Sequence, residues 1–251
     1  MEQVFDTARV ARNRLRAFRK GQRGADFLLN IVAEELADRL AVVERRFDKA
    51  VELHGVTGVV AEAARASGKV GEIERIETDA DFASEGERLA LAPLELPGLD
   101  DQSLNLVLSP LAAHLINDLP GYFIQIRRAL KPDGLFLAAI PGSGTLSELR
   151  DCLLAAEIEL YGGASPRVIP FADVRDIGGL LQRAGFTLPV VDQETYTVRY
   201  DTLFALMADL RAMGMANPLL GRSNKSVSRR FFLRAAELYA ERYSDPDGRI
   251  R

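Results

Sequence analysis

The chain is poor in the residues that build covalent or metal cross-links. Its single cysteine, Cys152, excludes an internal disulfide framework and a cysteine-based zinc site. Two histidines, His54 and His114, argue against a dedicated transition-metal centre, and none is expected. No apolar stretch approaches the ~18 residues that a membrane-spanning helix needs. Twenty glycines and 11 prolines in 251 residues exclude collagen-like and low-complexity chains. What remains is the composition of a globular protein, with 47% hydrophobic and 27% charged residues. The length suits one large domain, or one domain with an appended helical part.

A net charge of -4 argues against a general nucleic-acid binder, and no nucleic-acid partner is expected. The charge is unevenly spread. Residues 1–24 carry seven Lys/Arg against two acids, and residues 221–251 carry eight against four. Basic ends on an acidic body read either as a partner surface or as solvated helix faces. The arginine-rich start resembles organellar transit peptides, but it contains Glu2 and Asp6 and has no secretory apolar core. It reads as the N-terminal helix of a cytoplasmic protein, and the lone cysteine fits a reducing compartment.

Hydrophobic periodicity orders the rest. Phe27, Leu28, Ile31, Val32, Leu36, Leu40 and Val43 recur at spacings of three and four, which predicts a helix within 25–47. A strand follows at 49–53, then a turn containing Gly55 and Gly58, then a helix to about Ala66. Further strands are expected near 70–76, 88–91, 104–109 and 135–140. Asp118 and Pro120 open a helix between the last two. Strands alternating with helices, several of them apolar throughout, imply an α/β fold with a parallel sheet covered on both faces. Thr145-Leu146-Ser147-Glu148 reads as a capping box starting a helix to about Leu160. Helices are expected over 171–184, 200–213 and 228–243, with late strands at 190–191 and 195–198. Three segments result: N-terminal helices (1–48), a cofactor-binding core (49–141), and a helical cap with the rest of the core (142–251).

The segment Val51-Glu52-Leu53-His54-Gly55-Val56-Thr57-Gly58 carries the chemistry. A strand ending in an acid, a glycine-containing turn and a helix is how open α/β sheets seat nucleoside cofactors. Glycines admit close backbone approach, and the helix N-terminus offers free N–H groups. A second acid about 20 residues on holds the ribose, and Glu77 is placed to do so. The candidate cofactor residues are Glu52, His54, Gly55, Gly58, Glu77 and Ser109.

Leu96-Pro97, Asp101, Ser103 to Val107 and Ile124 to Leu137, with Lys131-Pro132-Asp133-Gly134 at its centre, resemble class I S-adenosylmethionine-dependent methyltransferases. Other segments are similar to a narrower branch. These are His114 to Pro120, Thr145 to Arg150, Gly162 to Pro166 with Pro170-Phe171, and Asp176 to Leu181 with Ala184-Gly185-Phe186. That branch holds the methyltransferase-fold assembly factor of mitochondrial respiratory complex I and its bacterial relatives. The malonyl-carrier-protein methyltransferase of biotin synthesis is a more distant relative. The resemblance implies a Rossmann-like class I methyltransferase sheet with an inserted helical cap, and S-adenosylmethionine as cofactor. It implies a substrate that is either a protein side chain, as on a respiratory-complex subunit, or a small carboxylate. His114 and Arg150 are the candidate catalytic residues, Arg150 as a carboxylate anchor.

The chain departs from the family pattern. The cofactor turn usually reads acid-x-Gly-x-Gly-x-Gly, yet His54 and Val56 stand at the first two glycine positions. A side chain in a left-handed turn costs on the order of 1 kcal/mol, and a β-branched one more. No acid follows the expected third strand at Leu91-Ala92-Pro93, although Glu95 is near. The family's last antiparallel strand is also missing, and an unpaired edge invites a homodimer. Two functions compete on this reading. One is a methyltransferase or related modification enzyme. The other is a non-catalytic binding module or assembly factor with a degenerate cofactor turn.

Overall fold

The computed structural model describes residues 3–223 and 226–251. Met1 and Glu2, at the head of the expected N-terminal helix, lie outside the described residues. Helix α1 spans Thr7–Lys20, with the Asp6 side chain accepting the Arg9 N–H and Gly21 ending it in the left-handed region. Its buried residues, Val10, Arg14 and Ala17, share one face at i, i+4 and i+7. Helix α2, Phe27–Ala41, is shorter than its periodic pattern, because the chain turns at 42–45 and enters β1 (Phe47–Leu53).

The order continues α3 (Val59–Ala66), β2 (Val70–Glu77), β3 (Ala90–Leu91) and β4 (Leu104–Pro110). Then follow α4 (Leu119–Ala129), β5 (Leu130–Ala139), α5 (Ser147–Tyr161), α6 (Val174–Arg183), α7 (Leu203–Ala212) and α8 (Arg229–Tyr243). The five strands are parallel in the order β3-β2-β1-β4-β5. The order reverses at β1 and β4, and that crevice is where open α/β sheets take ligands. Both faces are covered, as continuous apolar strands require. Phe47, Ala50, Leu106 and Leu108 pack with α2 and α3 residues Leu36, Leu40, Val60 and Ala64. Val51, Leu53 and Val107 pack with Tyr122, Phe123 and Ile126 of α4.

A separate core joins α5, α7 and α8 through Leu149, Cys152, Leu153, Leu206, Phe231 and Leu238. Two expectations fail in this half. The capping box does not form: Leu146 precedes α5 in the left-handed region (φ 56°), without a side-chain cap, and Ser147 donates to Glu148 instead. The late strands at 190–191 and 195–198 are not strands, since no neighbouring edge pairs with them and Val190 stays 87% exposed.

Candidate functional site

The turn between β1 and α3 keeps the backbone of a glycine loop without its glycines. His54, Val56 and Gly58 all have positive φ (56°, 66° and 75°). They are the three alternate positions at which the family pattern expects glycine. Gly55 is required for a different reason. A Cβ there would stand 1.7 Å from a Glu52 carboxylate oxygen, so the turn folds tightly over that side chain.

Glu52 and Glu77 end their strands side by side, but neither faces solvent. Glu52 Oε2 accepts the Ala61 N–H at 2.5 Å and so caps α3 from inside. Burial raises its pKa to about 7, against the pull of Arg75. Glu77 is 1% exposed, and its Oε1 accepts the Val56 N–H at 2.6 Å. Its pKa is also raised, first by burial, with Arg14 the largest opposing influence.

Arg75 lies between them. It precedes Glu77 by two residues on β2 and therefore points to the same face. Its guanidinium, 2% exposed, is 3.7 Å from Glu52, 3.4 Å from Glu77 and 2.7 Å from Glu87. It also donates to the Val56 carbonyl at 3.0 Å. A methyl group on Gly58 would meet this guanidinium at 2.8 Å, so the arginine fills the space beneath the turn.

A second cation arrives from α1. Arg14, 6% exposed, donates to the His54 carbonyl and ion-pairs with no carboxylate within contact distance among the described residues. Burial lowers its pKa, opposed by Glu77 and then Tyr122. Both histidines are buried with neither ring nitrogen bonded, and burial holds each near pKa 3, so both are neutral at pH 7. Ser109, at the end of β4, is buried with its hydroxyl 3.4 Å from that of Tyr122. Glu95, the acid nearest the adenine position, is committed to Asn117, accepting its N–H at 3.1 Å and its amide at 2.8 Å.

Above the carboxyl edge opens a cavity of about 1330 Å3, bordered by Arg14, Val56, Thr57, His114, Phe136 and Phe171. The His114 ring lies against Phe171, with centroids 6.1 Å apart. The cavity lining also carries the acids Glu35, Glu148, Asp192 and Glu194 and the arginines Arg23, Arg39 and Arg251. Asp192 pairs with Arg39 at 2.9 Å. Glu35 and Glu194 share the Tyr196 hydroxyl at 3.2 and 2.7 Å; among the described residues neither forms a direct ion pair, but both act electrostatically on Arg39 and help raise its pKa. Arg150 lines a smaller hollow of about 580 Å3, while His114 lines the larger one; Ser143, Gly144 and Phe171 border both. The two candidate catalytic residues thus border adjoining hollows rather than one. Arg150 donates to the Ile169 carbonyl at 3.1 Å and pairs with no acid among the described residues.

As arranged, these residues do not fit a nucleoside. Some polar atoms at the turn lack partners, among them Glu52 Oε1, Glu77 Oε2 and Thr57 Oγ1. The ribose acid is nevertheless closed off by its own loop and by Arg75. Glu52, expected to face the cofactor, caps α3 through Oε2 and leaves Oε1 without a partner. Sequence reasoning missed Arg14 and Arg75.

A family model described as a methyltransferase domain matches residues 55–138. The chain is 47% identical over 153 residues to the protein named "Arginine-hydroxylase NDUFAF5, mitochondrial" of Dictyostelium discoideum, covering 61% of this chain and 35% of that protein. The Danio rerio protein of the same name is 36% identical over 234 residues, covering 90% of this chain and 71% of the relative. The chain thus spans about a third of the first relative's length and less than three quarters of the second's. Among solved structures, the YcgJ protein of Bacillus superposes with a TM-score of 0.55 at 13% identity, over 86% of this chain and 92% of that one. This likeness bears on the fold. The expectation of a cytoplasmic protein is overturned, because both matched relatives are mitochondrial. The lone cysteine and the interrupted basic start, on which that expectation rested, do not distinguish the two compartments.

Proposed function

The chain belongs to the family of these mitochondrial arginine-hydroxylases, within the class I S-adenosylmethionine-dependent methyltransferases, and from that premise we propose that it modifies a side chain of a protein partner. The observation that carries this reading is the cavity, with Glu35 and Glu194 in its lining. At about 1330 Å3 it exceeds the ~300–1,000 Å3 of ordinary small-molecule pockets, which suits a chain segment better than a metabolite. Glu35 and Glu194, held by one phenol and in direct contact with no cation, would grip an incoming guanidinium in competition with the nearby Arg39. An arginine side chain is therefore the substrate group favoured here. This agrees with the name of the relatives and with the expectation of a respiratory-complex subunit as partner.

The chain's own residues would bind and orient. His114, which borders the cavity, is held near pKa 3 and is a poor base at pH 7, and His54 is buried outside the lining. Positioning is the contribution left to the protein. Family membership supports S-adenosylmethionine as the ligand of the fold, while the seat as arranged is shut. That closure favours a second reading, a binding module that holds its partner without turnover. Arg150 keeps a small-carboxylate substrate in view, since it has no acidic partner in its hollow.

The test uses an arginine-containing peptide and the same peptide with citrulline, which has nearly the same shape but no charge. Fluorescence anisotropy is expected to show binding of the arginine peptide alone, weakened at least about tenfold by Glu35→Gln with Glu194→Gln. Equal binding of both peptides would remove the reading. Mass spectrometry of the bound peptide then separates a modifying enzyme from a holding module.

A further inference from the structure

The cluster under the turn serves no purpose in partner binding, yet it is the most heavily charged buried group in the sheet. Glu77 occupies the position from which an acid normally reaches ribose hydroxyls. Here that carboxylate points inward. Its Oε1 is shared by the Val56 N–H and Arg75, and the residue is 1% exposed. Arg75 in turn holds the turn from below through the Val56 carbonyl, and is itself anchored to Glu87 and the Phe82 carbonyl. The left-handed conformation of His54 and Val56 completes the closure, since it aims the Val56 N–H at Glu77.

We propose that Arg75 is the residue that decides ligand access to this seat: from beneath the turn it holds the ribose acid inside the protein. A nucleoside can be taken up only when the Arg75–Glu77 contact and the Val56–Glu77 hydrogen bond are both released. The cluster has one weak side. Glu87, the partner of Arg75 at 2.7 Å, lies at the rim with its side chain 21% exposed, in the stretch between β2 and β3. Displacement of Glu87 alone would loosen the arginine while Phe82, in the same stretch, stays packed against Phe18. Glu52, by contrast, is tied to α3 and stays in place. The inference rests on the methyltransferase-family reading, because it takes a nucleoside to be the ligand that the seat once matched or still admits.

Isothermal titration with S-adenosylhomocysteine tests it on the full chain, with a cooperative urea transition as the check that each variant is folded. The wild type is expected to bind at least about tenfold more weakly than Arg75→Ala, the loss that one displaced contact implies. Adding Glu77→Gln to Arg75→Ala is expected to abolish the gain, because the gain depends on the freed acid. Should Arg75→Ala fail to fold, Glu87→Gln loosens the same anchor from the rim and is expected to raise affinity in the same direction. Tight, equal binding by wild type and variants would overturn the role of Arg75 and leave the family reading standing. No binding by any folded variant would overturn both.

Discussion

Glu52 shows how far burial has moved the chemistry of single residues in this turn. A folded pKa of about 7 against an ordinary 4.5 means that the folded chain holds a proton which the unfolded chain has released between those values. This group's contribution is therefore full below about pH 4.5 and is lost as pH rises to 7. Glu52→Gln keeps an oxygen for the Ala61 N–H and removes the titration. Its urea midpoint should exceed the wild type's at pH 8 and match it at pH 4; equal midpoints at both would contradict the shift. Val56 makes a second prediction at this scale. With φ at 66° a β-branched residue is strained. Val56→Gly should stabilise the chain by up to about 1 kcal/mol, less what glycine loses in unfolded-chain entropy. A lower urea midpoint would show that packing of the Val56 methyls outweighs the strain.

Among elements, α1 and the β1–α3 turn behave as one unit. Arg14 ties the helix to the His54 carbonyl, and Gly214 lets α7 approach so closely that a Cβ there would lie 2.9 Å from the Arg14 Cα. Asn117 adds a second tie, its side-chain oxygen accepting the Val4 and Phe5 N–H groups at 2.8 Å each while its amide donates to Glu95. Asn117→Ala should cost about 1–3 kcal/mol, since it strands partly buried donors, and should speed amide exchange in α1. Unchanged exchange would mean that Arg14 and the other ties, such as Asn13 to the Ala216 carbonyl at 2.7 Å, hold the helix without Asn117. The strand-turn-helix of 47–66 was legible because its periodicity switches sharply at Phe47 and again after Gly58. Arg14 could have been found, since it shares the spacing of Val10 and Ala17. Arg75 was harder to find: in Glu74-Arg75 it reads as part of a solvated face, and its burial depends on a turn that closes over it. The capping box failed because α5 begins at Ser147, which puts Leu146, in its left-handed conformation, at the cap position instead of Thr145.

At the scale of the whole molecule, a parallel sheet and a helical cap leave a wide cavity that Arg14 borders and that carries both acids, such as Glu35 and Glu194, and arginines, such as Arg39, in its lining. Its affinity for a cationic peptide should fall as salt rises, because Glu35 and Glu194 stand where counterions screen them. The family resemblance set out the fold and the cavity's place over the sheet edge. It could not foretell that the nucleoside side of that edge would be filled from within, because the filling residues come from β2 and the following loop rather than from the glycine turn itself. On the proposed reading, an open cavity for a partner adjoins a closed ligand seat.

Amide hydrogen exchange at Val56 tests that closure most directly. If Glu77 and Arg75 hold the turn as described, the Val56 N–H exchanges slowly in the wild type at pH 7 and at least about tenfold faster in Arg75→Ala. Exchange at the rate of an exposed loop amide in the wild type, unaltered by that substitution, would contradict the account.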